Sequence, residues 1–417
     1  MKYTIFETFV GAGGSHLGFA QTGFKTVFVN DISPLCIETL LYNNPEIKKN
    51  AVVAIQDFTT LDPKDLLKRM KMKQGDLDVM FGGIVCKGFS LAGEKSPNDP
   101  RNNFYRYQLN LVEEIKPKIS IIENVPGILS AEILSPNVPL EIREKVDSLW
   151  KSIENYKGFK ANARKTQSIT DELEQKGNEL RSKKTELLKF LKENKYLISV
   201  KDDIQNIYKN IGYKVYMKVL NSAWYGAYTK RERIIIVAVR NDINIEFKYP
   251  DPIFKEESEF KTVGQALELI DYTKKDLDNI PMAHAAKTIE RFKYIGEGEN
   301  LASKVEQLPD ELKISKFYSR GSTMRLDSKK CSPTLVPGHS NFPIHPFENR
   351  SITVREAAVI TGFPIDYKFF GSHSQRCEQV GNAVPPALSR AVAKQCKVLL
   401  DEYYKKLNVK KASTSGL

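Results

Sequence analysis

A chain of 417 residues has room for an enzyme domain of about 250 residues and one or two smaller units. Its 63 Lys and Arg against 51 Asp and Glu leave a formal charge of +12, which favours a polyanionic partner but does not separate DNA from RNA. No run of about 18 apolar residues occurs, and the N-terminus goes straight into a strand, so neither a membrane span nor an export signal is expected. The five cysteines, Cys36, Cys86, Cys331, Cys377 and Cys396, are odd in number and follow no pairing pattern, which suits a reducing cytosol. The five histidines show no metal-ligand spacing with Cys or with each other, and no metal is expected.

The first predicted strand, Thr4 to Phe9, runs into Val10-Gly11-Ala12-Gly13-Gly14, and a helical pattern follows through Leu17, Phe19 and Ala20. A strand, a glycine turn and a helix N-terminus make a nucleotide-type pocket, although the spacing is not the Gly-x-Gly-x-x-Gly of dinucleotide enzymes. A second strand, Thr26 to Asn30, ends in Asp31, placed as a carboxylate that accepts from ribose hydroxyls would be. A third, Ala51 to Ile55, delivers Asp57 to the same sheet edge. Next comes Asp78-Val79-Met80-Phe81-Gly82-Gly83-Ile84-Val85-Cys86-Lys87-Gly88-Phe89-Ser90, where a thiol follows an apolar strand and two glycines onto loop backbone. A lone Cys is ordinarily a small packed residue, but a strand exit is where nucleophiles are mounted.

Ile119 to Ile122 form another apolar strand, which carries Glu123 to its C-terminal end, where open α/β sheets place their ligands. Residues 141–195 are then dense in Lys and Glu. Ile142, Val146, Leu149 and Ile153 make one amphipathic stretch, while Leu173, Leu180 and Leu187 recur every seven residues with Ile169 and Leu191 on nearby turns. A helical hairpin bending at Gly158 is expected. Farther on, Thr229-Lys230-Arg231-Glu232-Arg233 leads into the strand Ile234 to Val239, and strand period turns Arg231 and Arg233 to one side as an anion or carbonyl clamp. Across 251–350 the strand-helix alternation gives way to Pro, Gly, His and basic residues. Thr353 to Phe363 reads as a capped helix, and the last ten residues are expected to fray.

Taken together these segments resemble the DNA cytosine-5 methyltransferases of bacterial restriction-modification systems. The matching pieces, in that family's order, are Phe9-x-Gly11-x-Gly13-Gly14, the Cys86 loop, Asp99-Pro100-Arg101-Asn102, Glu123-Asn124-Val125, the Arg231/Arg233 strand and Gln379-Val380-Gly381-Asn382-Ala383-Val384-Pro385-Pro386. The resemblance implies an α/β fold: a Rossmann-like, S-adenosylmethionine-dependent methyltransferase sheet with helices on both faces, a smaller target-recognition domain and a helical insert. The implied layout is a catalytic and cofactor-binding domain over 1–250, with the insert at about 136–200. A target-recognition domain follows over 251–350, then a return over 351–400 whose helix closes the cofactor pocket, and a flexible tail over 408–417.

The resemblance also assigns roles. Cys86 would add to C6 of a flipped cytosine, Glu123 would hold or protonate N3, and Arg233 with Arg231 would bind the O2 side. S-adenosylmethionine, leaving as S-adenosylhomocysteine, would lie among Phe9, Gly11, Ala12, Gly13, Gly14, Asn30, Asp31, Ile32, Asp57, Phe58, Phe104, Asn382 and Val384. Ser90, Arg320 and Arg325 would contact the DNA. Double-stranded DNA is the implied partner, with a restriction endonuclease as a functional rather than a physical one. The enzyme would act as a monomer in the bacterial cytoplasm, at the nucleoid.

Three positions depart from the family pattern: Val85 and Lys87 replace the usual Pro and Gln around the thiol, and Thr229 stands where Gln is usual. Two other readings stay open at this point. One is an RNA cytosine-5 methyltransferase, although the Cys-Phe-Thr motif of the tRNA-methylating branch is missing. The other is a DNA-binding homologue with weak catalysis.

Overall fold

The computed structural model describes residues 2–84, 96–165, 168–314, 321–338 and 342–414. These form two compact units. The first comprises Met1–Gly83, Glu114–Glu123 and Tyr216–Leu417, and the second Ile84–Glu113 and Asn124–Val215. The strands in chain order are β1 (Thr4–Thr8), β2 (Lys25–Asp31), β3 (Val52–Ile55), β4 (Val79–Gly83), β5 (Ile119–Asn124), β6 (Glu132–Leu134), β7 (Leu197–Ser199), β8 (Tyr213–Asn221) and β9 (Glu232–Arg240). The helices are α1 (Gly14–Gln21), α2 (Pro34–Asn43), α3 (Glu46–Asn50), α4 (Pro63–Met70), α5 (Phe104–Ile115), α6 (Leu140–Lys165), α7 (Asp171–Glu193), α8 (Val200–Asn210), α9 (Val263–Leu267), α10 (Ala286–Phe292), α11 (Val354–Thr361), α12 (His373–Asn382) and α13 (Pro386–Thr414).

Seven strands make one mixed sheet in the order β3-β2-β1-β4-β5-β9-β8, with helices on both sides. The pairs β1/β2, β1/β4, β2/β3 and β4/β5 are parallel. Strands covered on both faces must be apolar throughout, and β5 is buried along its whole length. That is why the central strands were readable from composition. On one face Ile5, Val79, Phe81, Ile119, Ile121, Ile235 and Val237 pack with Phe19 of α1 and with Leu388, Val392 and Cys396 of α13. On β1 the alternate residue Phe6 stacks on Phe28 of β2, with ring centroids 4.1 Å apart.

Strand order reverses between β1 and β4. A crevice outside the C-terminal ends of such a pair is where open α/β sheets bind ligands. The chain leaves β1 into the glycine turn there and leaves β4 toward Cys86. Cys86 and Ser90 themselves lie outside the described residues, as does Arg320.

Several local expectations changed. Gly158 does not bend the hairpin, because α6 runs through it to Lys165. The second helix starts where Thr170 caps it, its hydroxyl accepting from the Leu173 amide at 3.2 Å. One glycine costs a long helix only about 1 kcal/mol, too little to force a bend by itself. The C-terminal helix α13 likewise continues to Thr414, into the stretch expected to fray. Residues 251–350, the stretch read as target recognition, fall within the first compact unit. Their segment at 332–335 is knitted to 228–231: Lys230 N donates to Ser332 O at 2.7 Å, Ser332 N to Tyr228 O at 2.8 Å, and Thr334 Oγ1 to Lys230 O at 2.6 Å. The helix expected from Thr353 forms as α11, with a Thr353/Glu356 capping box and left-handed Gly362 at its end.

Arg325, expected at the DNA, has a different job. It is buried, and its guanidinium donates to the carbonyls of Ile295 (2.6 Å), Phe292 (2.8 Å), His345 (2.7 Å) and Glu348 (2.7 Å) and to Asn349 Oδ1 (2.7 Å). A guanidinium has five N–H groups, so none remains for a phosphate or a base. Arg325 is the pin that holds three loops of a region poor in regular structure. Replacing it by Lys leaves at least two of these acceptors unpaired, and we expect Arg325→Lys to lower stability by roughly 2–3 kcal/mol in urea unfolding. An unchanged unfolding midpoint would remove the pin.

Candidate active site

The glycine turn is built by backbone conformation. Phe9, Gly11 and Gly13 all take positive φ (52°, 54° and 97°), which folds the chain back between β1 and α1. Nothing lies within 4 Å of where a Gly11 side chain would point, so the turn offers open space above it. Gly14 is the opposite case, since a Cβ there would stand 2.4 Å from the Val384 carbonyl oxygen. Of the two residues expected to close the pocket from the far end of the chain, the structure brings one, Val384, against the turn. Val384 meets it through its carbonyl and is half-buried, while Asn382 is exposed.

Asp31 braces the turn. One carboxylate oxygen accepts from the Gly11 amide and the other from the Ser33 amide, both at 2.9 Å. Burial pushes the Asp31 carboxyl up and the two amides pull it back, so its remaining lone pairs suit hydroxyl donors. Phe9 and Phe58 lie with ring centroids 4.8 Å apart, and Ile32, the residue after β2, is 66 % exposed. Asn30 is turned inward, its amide donating to the Ala54 and Gln56 carbonyls at 3.0 and 2.9 Å, and so ties the ends of β2 and β3. Asp57 is exposed and caps the short turn at Phe58–Thr60. Ala12 is buried, and Phe104 opens α5, whose first residues belong to the second unit.

Three supports of the turn were not anticipated. Tyr367 donates to the Ala12 carbonyl at 2.6 Å, and Glu7 and His16, both essentially inaccessible, face each other at 2.8 Å beneath the turn. The signal for the pair was a Glu interrupting an apolar strand nine residues before a His. For Tyr367 the sequence carried no signal.

Glu123, next to last in β5, is almost fully buried, and Arg233 of the neighbouring β9 reaches it at 2.8 Å. Burial raises the Glu123 carboxyl above the usual carboxylate range, while Arg233 and then Arg231 oppose that rise. A buried carboxyl raised in this way is a candidate for proton exchange with a ligand. Arg231 does not share the contact on equal terms. Its guanidinium donates to the Leu335, Gly381 and Asn382 carbonyls at 3.3, 2.7 and 3.2 Å. Burial, then Arg233, push that guanidinium below its ordinary value, yet an arginine so surrounded by carbonyls keeps its charge. The two arginines are therefore divided: Arg233 holds the carboxyl, and Arg231 ties β9 to the segments at 335 and 381–382. Thr229 donates to the Pro333 carbonyl at 2.9 Å and belongs to the same knot.

In the second unit the Asn124 amide donates to the Ile84 carbonyl at 3.3 Å, holding the last described residue before Cys86. Burial raises the four described cysteines: Cys36 to about 11, Cys331 and Cys377 to about 12, and Cys396 higher still. None of these four is a thiolate at neutral pH.

The family model for C-5 cytosine-specific DNA methylases matches residues 3–149 and 185–398. The chain belongs to this family. It is a DNA cytosine-5 methyltransferase of bacterial restriction-modification type. Type II methyltransferase M.DdeI of Desulfomicrobium norvegicum is 27% identical over 97% of this chain and 90% of its own length. M1.HphI of Haemophilus parahaemolyticus is 28% identical over 94% and 86%. Among solved structures, one described as a DNA modification methyltransferase encoded within an E. coli prophage superposes with TM-score 0.64 at 21% identity, covering 96% of this chain and 100% of its own. The S. pombe Dnmt2 methyltransferase superposes with TM-score 0.57 at 14% identity over 96% and 99%. The family's methyl donor is S-adenosylmethionine. The positive-φ turn, the open space over Gly11, the braced Asp31 and the exposed Ile32 fit an adenosyl group with a charged amino-acid tail. No described helix is long and apolar enough to cross a membrane, and the described residues hold no cluster of metal-ligating side chains.

The Glu123–Arg233 pair makes a titration prediction. Arg233 is the largest influence holding the Glu123 carboxyl down, so Arg233→Met should move its midpoint upward, read by carbon-13 NMR of labelled glutamate. A carboxyl whose folded pKa exceeds its unfolded one costs stability as pH rises through that window. The variant should therefore lose stability relative to wild type as pH rises through the wild-type midpoint, which itself lies above 4.5, the ordinary glutamate value. A downward shift of the midpoint would contradict the assigned cause.

Proposed function

We propose that this enzyme methylates C5 of a cytosine in a specific duplex sequence, with Cys86 as nucleophile, and that it protects host DNA beside a cognate restriction endonuclease. The observation that carries the mechanism is the buried Glu123 carboxyl, raised by burial and held by Arg233 at the ligand-binding edge of the sheet. Cytosine C5 is a poor nucleophile. When the Cys86 sulfur bonds to C6, electron density moves through the ring toward C5 and N3, and Glu123, once protonated, supplies a hydrogen bond or proton at N3 to meet it. Arg233, through Glu123 and its own positive charge, steadies the O2 side of the ring. S-adenosylmethionine, when bound, supplies the methyl group.

After transfer a base removes the C5 proton, the sulfur–C6 bond breaks, and the thiol is restored. Burial raises the other four cysteine thiols, which supports Cys86 over them as the nucleophile. The sulfur must approach from one face of the ring and the methyl group from the other, so the target base leaves the helix. The net charge of +12 supports binding along the phosphate backbone, and residues 251–350 are the stretch we assign to reading the sequence. Protection of host DNA is supported by the relatives, named as type II methyltransferases.

Base-resolution mapping of 5-methylcytosine in DNA from cells expressing this chain should show one short motif fully modified. Cys86→Ala should abolish the signal while leaving S-adenosylhomocysteine binding within about threefold of wild type, since the thiol contributes no affinity for the cofactor. Modification that persists in Cys86→Ala would refute the mechanism.

A further inference from the structure

We propose that Tyr367 is a positioning residue for the cofactor. By holding the Ala12 carbonyl, its hydroxyl keeps the glycine turn in its binding shape, and so sets the affinity for S-adenosylmethionine rather than the rate of transfer. This rests on the reading of the turn at 9–14 as the cofactor site.

Phe9, Gly11 and Gly13 all stand at positive φ, and for Phe9, which carries a Cβ, that conformation is uncommon. Such a turn is not held by local preference and needs partners from outside. Val10 N donates to Asn30 O at 3.1 Å, the Gly11 amide to Asp31 at 2.9 Å and Gly13 N to Val10 O at 3.0 Å. These bonds fix amides. The Ala12 carbonyl is fixed by the Tyr367 hydroxyl at 2.6 Å, from 355 residues farther along the chain.

A hydroxyl has one proton to give. Asn44, at the C-cap of α2, donates its amide to the Tyr367 oxygen at 3.4 Å, which leaves that proton to Ala12. Burial pushes the Tyr367 hydroxyl well above its ordinary value, so it stays a donor at neutral pH. Gly13 makes room for it, since a Cβ there would stand 2.7 Å from the Tyr367 oxygen. That glycine therefore serves the brace as well as the bend.

The backbone that carries Tyr367 is itself fixed. The Tyr367 carbonyl accepts from Arg355 at 2.7 Å, Lys368 N donates to Asn43 Oδ1 at 2.9 Å, Phe369 N to Asp278 at 3.2 Å and Phe370 N to Thr39 Oγ1 at 3.1 Å. Arg355 is in turn paired with Asp276 at 2.6 Å, and Asp278 with Arg376 at 2.8 Å. The ring packs against Phe363 and Phe369, with centroids 4.9 and 5.4 Å away. Packing alone would be served by a phenylalanine; the hydroxyl is spent on the turn.

The test uses the full-length enzyme and two variants. Tyr367→Phe keeps the ring and removes the hydroxyl, while Ile360→Val trims the same hydrophobic cluster without altering the hydroxyl. The readouts are S-adenosylhomocysteine affinity by calorimetry, hydrogen exchange over residues 9–14, urea unfolding, and KM and kcat for the methyl donor. When a binding shape is populated only in part, affinity falls by that fraction, and losing one bond to a buried carbonyl is enough to shift the population about tenfold. Tyr367→Phe should therefore bind S-adenosylhomocysteine about tenfold more weakly and raise KM by the same factor, with kcat within about twofold of wild type.

S-adenosylhomocysteine should slow exchange over 9–14 in the wild type, and in the free Tyr367→Phe variant that exchange should be faster than in the free wild type. Ile360→Val should lower the urea midpoint yet bind within about twofold of wild type, which separates loss of stability from loss of the brace. Wild-type affinity in Tyr367→Phe, or an equal weakening in Ile360→Val, would overturn the proposal alone. If S-adenosylhomocysteine binds the wild type without slowing exchange over 9–14, the reading of the turn as the cofactor site fails, and the proposal with it.

Discussion

A carboxyl group at the end of a strand buried on both faces is tolerable only with a partner, and the contact between Glu123 and Arg233 supplies it. Much of the site follows from that one ion pair. It places a buried carboxyl at the C-terminal edge of β5, one strand from the loop that leaves β4, and it holds β9 beside β5 at that end of the sheet. Breaking such a pair from one side typically costs about 3–5 kcal/mol, because the surviving charge stays buried. The same burial that makes the pair necessary raises the Glu123 carboxyl. In the proposed mechanism, structural need and chemical use coincide at one residue.

The cofactor side works through backbone rather than charge. Positive φ at Phe9, Gly11 and Gly13 closes the turn, the Asp31 carboxylate holds the Gly11 amide, and Tyr367 holds the Ala12 carbonyl from a distant part of the chain. The close approach of Gly14 to Val384 shows why the C-terminal segment must return to the first strand. A pocket assembled from both ends of a chain requires the intervening residues, insertions included, to leave the sheet and come back. The parallel core, the two added regions and the long α13 satisfy that requirement together.

Much of this was legible in the residues, for a physical reason. Central strands covered on both faces are largely apolar, so β1, β2, β4, β5 and β9 announced themselves, and polar residues at the ends of several marked the ligand edge. What stayed hidden was how identical side chains would divide their labour. Arg231 and Arg233 alternate at strand period and look equivalent, yet one meets three carbonyls and the other a carboxyl. Arg325, in a region rich in basic residues, looked like a DNA contact until its five acceptors were seen. Gly158 looked like a bend, but a single glycine cannot outweigh the packing of a 26-residue helix. In each case the deciding partner lies far away in sequence, where periodicity has no reach.

The central claim is that Cys86 attacks the base while Glu123 manages the charge that attack creates. Its most direct test is the intact mass, followed by peptide mapping, of the enzyme incubated with methyl donor and a duplex bearing 5-fluorocytosine at the mapped target. The account predicts a stable one-to-one adduct attached through Cys86, forming far more slowly in Glu123→Gln. Full methylation of an ordinary duplex with no adduct on the fluorinated one, or an adduct at another residue, would contradict it.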